Sequence, residues 1–139
     1  MKDAQQFLQD YNDIKRGASF RYVNGVGIYT LPALTHLAGV DHGFTAKSGG
    51  VSEGYFASLN LSFTRPEKRE NVMENYRIFC RAAEIPFDTM VMDSYEHGTT
   101  VLKVDRTDAG KGYLLDPLPA CDGLVTNDPA ITLITGHAD

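Results

Sequence analysis

The chain has no tryptophan, and only two cysteines and four histidines among its 139 residues. Two cysteines make no disulfide framework. At this length one domain can bury an apolar core, and residues 1–139 read as a single domain. No apolar run approaches the roughly 20 residues that a spanning helix requires. The opening Met1-Lys2-Asp3-Ala4-Gln5-Gln6 is polar and carries no apolar signal segment. These absences exclude a membrane partner and leave the cytoplasm as the expected location. The 13 Lys and Arg residues are scattered within a formal net charge of −5. With no basic stripe, a nucleic-acid partner is set aside.

What is present reads as short strands with few helices. Phe7, Tyr11 and Ile14 are spaced for one stripe of a helix over residues 3–15. Phe20-Arg21-Tyr22-Val23 and Val26-Gly27-Ile28-Tyr29 flank Asn24-Gly25, a strong local hairpin signal. Residues 40–45 read as a strand. The clearest helix covers residues 67–84, with Thr64 and Glu67 at capping-box spacing and Pro66 in the first turn. Its core-facing stripe is Val72, Tyr76, Phe79, Cys80 and Ala83, and Pro86 ends it. Further strands are expected at residues 89–92, 99–104, 124–126 and 131–135, with a loop over 105–116. The class is α+β. Cys80 and Cys121 read as small packed hydrophobes.

The segment His42-Gly43-Phe44-Thr45-Ala46-Lys47-Ser48-Gly49-Gly50-Val51-Ser52, followed by Ser58-Leu59-Asn60-Leu61, has another character. It combines a Gly-Gly corner, hydroxyls, a cation and an aromatic, a composition suited to bringing backbone close to an anion or polar ligand. The alternative is a plain Gly-Gly turn between strands. In the order His-Gly-Phe, Gly-Gly-Val-Ser, Ser-Leu-Asn-Leu, it resembles the opening of the bacterial YfiH-like family. The resemblance continues at Glu96-His97-Gly98, Cys121-Asp122-Gly123-Leu124-Val125-Thr126 and Ile134-Thr135-Gly136-His137-Ala138-Asp139. It is strongest over residues 40–139, the N-terminal half of the family's domain.

That family was long labelled multicopper polyphenol oxidase or laccase-domain, and is now associated with zinc-dependent purine nucleoside phosphorylase activity. The resemblance implies a layered α/β/β/α fold with mixed β-sheets, incomplete in this chain. It implies zinc as cofactor, with copper the older alternative, and His97 as a metal ligand. Tyr95-Glu96 stands before His97 where the family usually has Gln-Val. The family's other ligands, a cysteine directly after Ala-Asp and a later histidine, fall beyond Asp139, so a metal is expected to be weakly held or absent. Lys47, Ser48, Gly49, Gly50, Ser52, Asn60 and His42 are the candidates for phosphate and nucleoside. Lysine at 47 gives a point charge where the family usually has a nearby arginine. His137 reads as a strand-end residue, and His36 receives no role.

Three functions follow as expectations. The first is the family's phosphorolysis of purine nucleosides, with adenosine deamination and methylthioadenosine cleavage beside it, impaired by the missing ligands. The second is a non-catalytic module that binds a ligand or oligomerises. Copper-dependent polyphenol oxidation is the weakest, because the chain has no His-X-His pair. A half-fold exposes sheet edges and apolar faces. It is expected to be poorly stable alone, or to cover that surface as a homodimer or with the missing C-terminal portion.

Overall fold

The computed structural model describes residues 17–137, and the helix expected over residues 3–15 lies outside them. Strands β1 (Ser19–Val23) and β2 (Val26–Thr30) pair antiparallel, with Val23 opposite Val26. Asn24 and Gly25 both take positive φ, at 52° and 85°, as a two-residue type I′ turn requires. Alternation then divides the two faces. Val26 and Ile28 point inward and are buried, while Phe20, Tyr22 and Tyr29 stand exposed. The Phe20 ring packs 4.8 Å from Tyr22 and 4.5 Å from Tyr29.

A single-turn helix α1 (Pro32–Thr35) leads toward β3 (Phe44–Thr45), which pairs antiparallel with the free side of β2. This strand is shorter than the six residues expected from 40–45. The Leu31 N–H donates to the His42 ring Nε2 at 2.6 Å rather than to a strand carbonyl, so the ladder stops at Phe44.

Helix α2 (Arg69–Ala83) starts later than expected. The Thr64–Glu67 capping box does not form. Thr64 donates its N–H to Ser62, while Glu67 accepts from the Asn71 amide at 2.9 Å and from the Lys68 N–H. At the other end Glu84 adopts a left-handed φ of 59° and closes the last turn. The buried face holds Val72, Asn75, Tyr76, Phe79, Cys80 and Ala82. Ala82, not Ala83, is the buried alanine. It packs with Val26, Ile28 and Leu59 under the hairpin.

Two parallel pairs complete the fold: β4 (Met90–Met92) with β7 (Thr132–Ile134), and β5 (Val101–Lys103) with β6 (Gly123–Val125). Met90 and Met92 face α2, in a cluster with Val72, Tyr76, Phe79, Cys80 and Tyr113. Val91, between them, faces Val104 and Leu118. Strand β4 is thus covered on both faces, as parallel strands generally are. Residues 105–116, a loop by composition, run along β4: Gly110 donates to the Met90 carbonyl and Met92 to the Lys111 carbonyl. Gly112 (φ 89°) permits this approach, because a Cβ there would lie 2.7 Å from Met92 Cβ. The chain is an α+β fold, with one antiparallel three-stranded sheet and two parallel pairs among the described residues.

Candidate functional site

The Gly-Gly loop is pinned by its own neighbours. Gly49 and Gly50 donate their N–H groups to Ser58 Oγ, at 3.1 and 3.4 Å. Val51 donates to Asn75 Oδ1 at 2.8 Å, and Ser52 donates to the Ser58 carbonyl at 3.0 Å. Ser58 and Leu59 return the chain by donating to the Lys47 carbonyl. A Cβ on Gly50 would overlap the Ser58 carbonyl and lie 2.5 Å from Asn75 Oδ1. A Cβ on Gly49 would lie 2.6 Å from the Gly25 carbonyl of the hairpin turn. Both glycines therefore serve close packing. Their N–H groups, with those of Val51 and Ser52, already have partners within the chain.

Ser52 is buried and its Oγ accepts from Asn75 Nδ2 at 2.9 Å. The same Nδ2 donates to the Asn60 carbonyl, while the Asn60 Oδ1 accepts from Ser62 N–H. The Lys47 side chain is exposed, and three buried side-chain atoms here lack a hydrogen-bond partner: Ser48 Oγ, Asn60 Nδ2 and Glu67 Oε2. The Asn71 amide, with the Ser52 and Asn60 side chains, holds the Glu67 carboxyl below its usual range. His42 is half-buried, and its Nε2 is engaged by Leu31. With Nε2 as acceptor, the neutral ring carries its proton on Nδ1.

A second group forms around the C-terminal ends of β4 and β7. Phe44 of β3 lies 5.5 Å from the His137 ring, and Thr135 Oγ1 is 2.8 Å from His137 Nε2. Burial raises the Asp93 carboxyl above its usual range, opposed by the Gly136 N–H and by His137. His97 is exposed at a left-handed φ of 66°, with its ring 4.5 Å from that of Tyr95. The turn that carries His97 is held by Asp122, whose carboxylate accepts from Gly98 N–H at 2.7 Å and Thr100 N–H at 3.3 Å. These N–H groups, Gly98 first, hold the Asp122 carboxyl below its usual range.

The structure thus joins Gly49, Gly50, Ser52 and Asn60 in one hydrogen-bonded unit, with Lys47 and Ser48 at its edge. His97 stands apart from this unit, on the turn held by Asp122. Ser58 and Asp122 lie within the motifs above without an expected role, and Asn75 lies outside them. Asn75 had one sequence signal, a polar residue at a position of the apolar stripe between Val72 and Tyr76.

Residues 41–139 match the family described as multi-copper polyphenol oxidoreductase laccase, and the chain belongs to that family. This is the YfiH-like family of the motifs above. Purine nucleoside phosphorylase YlmD from Geobacillus stearothermophilus is 34% identical over 104 residues, 73% of this chain and 38% of that protein. The protein of the same name from Bacillus subtilis is 33% identical over 99 residues, 70% of this chain and 36% of that protein. The crystal structure of the Geobacillus YlmD matches with a TM-score of 0.77 at 30% identity, covering 88% of this chain and 46% of its own. The Bacillus licheniformis hypothetical protein YfiH matches with a TM-score of 0.75 at 27% identity, covering 86% and 44%. The chain spans less than half the length of these relatives.

The family description implies metal binding. Among the described residues no three His, Cys, Asp or Glu side chains are grouped to hold a metal ion. Cys80 and Cys121 are both buried and supply no open ligand position. The described donors therefore do not fit a three-ligand zinc centre. Among the described residues, no helix is long and apolar enough to cross a membrane.

Proposed function

We propose that this chain acts in phosphorolysis of purine nucleosides, with the 47–52 loop and Asn60 as its phosphate- and nucleoside-handling part. The observation that carries the reading is the pinned loop. It carries the exposed Lys47 side chain, next in sequence to Ser48, whose Oγ is buried and unpartnered, and the returning segment brings in Asn60. The relatives named purine nucleoside phosphorylase support the same reaction class.

Phosphorolysis develops positive charge on the ribose and negative charge on the departing base. An oriented anion beside the glycosidic carbon stabilises the first, and donors at the base stabilise the second. Lys47 supplies the cation for phosphate, and Ser48 Oγ a hydroxyl donor. Gly49, Gly50 and Ser52 contribute by holding the loop in shape. Asn60 Nδ2 donates to a ribose or base oxygen, and His42 Nδ1–H is a further donor. His97 is the single family-matched metal donor among the described residues. Zinc remains what the resemblance implies, and no step is assigned to it.

The test incubates the purified chain with inosine, with and without phosphate, and follows hypoxanthine and ribose 1-phosphate. Adenosine and methylthioadenosine serve as further substrates. Phosphate-dependent turnover that is lost in Lys47→Ala is the expected result. Calorimetric phosphate binding without turnover supports the alternative reading, a non-catalytic module that binds a ligand. Neither turnover nor binding in a folded sample overturns the proposal.

A further inference from the structure

Asn75 is fully buried, with 0% exposure, on the face of α2 that otherwise carries Val72, Tyr76, Phe79 and Cys80. A carboxamide in such a place destabilises the fold unless it is bonded. Here Oδ1 accepts from Val51 N–H at 2.8 Å, and Nδ2 donates to Ser52 Oγ at 2.9 Å and to the Asn60 carbonyl at 2.8 Å. Each bond reaches a segment singled out for ligand contact, and none ties α2 to the rest of the core. Gly50 has no side chain, which lets Oδ1 come this close.

We infer that Asn75 is a positioning residue: it fixes the 47–52 loop relative to Asn60, so that Lys47, Ser48 and the Asn60 amide are presented together. The inference rests on the phosphate- and nucleoside-binding role proposed for that loop. A residue kept for packing alone would be served by leucine, which is close to asparagine in size and favours helix. The carboxamide is instead divided between one acceptor and two donors, the requirement for locking two strands of backbone to one helix. Because bonds to the same buried group are cooperative, removal of one loosens the others.

The experiment uses the full chain and two independent readouts. Amide hydrogen exchange without ligand measures the loop itself. In Asn75→Ala, exchange at Val51 is expected to rise about tenfold more than exchange in β2, the scale of one lost hydrogen bond. Asn75→Asp keeps the acceptor but loses the two Nδ2 donors and is expected to restore Val51 protection only in part. Ser52→Ala, a milder change, removes only the Oγ acceptor and serves if Asn75→Ala fails to fold. Titration with inorganic phosphate is the second readout. Asn75→Ala is expected to weaken affinity about tenfold and to raise KM with less change in kcat. If Val51 exchange rises only in step with β2, Asn75 is a stabilising residue and the inference is overturned. If wild-type chain does not bind phosphate while Val51 responds as expected, the loop is positioned for another purpose, and the phosphate reading alone fails.

Discussion

Two glycines of one segment give a controlled test of the packing argument. Gly49 and Gly54 both have positive φ, 97° and 57°. A Cβ at Gly54 would meet nothing within 4 Å, whereas at Gly49 it would lie 2.6 Å from the Gly25 carbonyl and 2.9 Å from Val26 N. Both neighbours are backbone of the hairpin and cannot rotate away. Alanine at Gly54 therefore carries only the left-handed penalty of about 1–2 kcal/mol, offset by about 0.4–1 kcal/mol from the stiffer unfolded chain. The net is a loss of about 0–1.6 kcal/mol. Alanine at Gly49 adds overpacking of about 1–3 kcal/mol, and its φ lies outside the narrow left-handed region near +60°. The expected loss is about 2–4 kcal/mol, a large share of the roughly 5–15 kcal/mol that holds a typical domain. Urea denaturation of wild type, Gly49→Ala and Gly54→Ala, followed by circular dichroism, compares the midpoints at common m-values. A Gly54→Ala loss equal to or above that of Gly49→Ala would refute the reasoning.

Other outcomes follow from buried and charged groups. Burial pushes the Cys80 thiol up to about 11, and Cys121 is also buried, so neither should react with a disulfide reagent at pH 8 until the chain is unfolded in guanidinium. Tyr113, whose phenol burial pushes up to about 12, donates its hydroxyl to the Phe87 carbonyl. Tyr113→Phe should cost about 1–2 kcal/mol, read as a Tm lower by several degrees in calorimetry. Asp105, Asp108, Asp122 and Asp128 are all held below their ordinary value of 3.8 in the folded state. The unfolded chain then binds more protons, so stability should fall as pH drops through 4 and below. Asp122→Asn should flatten this acid limb in urea titrations between pH 7 and 3.

Local signals in the sequence transferred well to the structure. Asn24-Gly25 demands two positive φ values, and the hairpin formed around them in the expected register. The stripe of α2 was legible because its large apolar residues all face one cluster. The start of that helix was not. Thr64 and Glu67 have the spacing of a reciprocal cap, but Ser62 takes the Thr64 N–H and Asn71 takes the Glu67 carboxylate. Strand β3 was overextended for a similar reason, since a side chain, His42, takes the N–H that would have continued the ladder. At the candidate site the residue types were legible and their partners were not. Gly49 and Gly50 announce close approach of backbone, but only tertiary structure shows that hairpin and Ser58 are what approach. The parallel pairings of β4 with β7 and β5 with β6 join segments distant in sequence, which periodicity does not register.

Those two ladders have a consequence for the order of assembly. β5 and β6 both lie between β4 and β7 in the chain, so the shorter closure is nested inside the longer one. Forming the inner pair first shortens the effective loop that the outer pair must close, lowering its entropic barrier. Helix α2, built from local contacts, can fold before either. The outer ladder is thus last to form and, in reverse, first to be released. Because β4 leads directly into Asp93 and β7 into His137, the end of the molecule that gathers Asp93, Thr135 and His137 sits on the part of the chain that closes last. A proteolytic nick in residues 105–116 would cut the strand-to-strand tether of both ladders at once, turning each intramolecular closure into an encounter between separate chains.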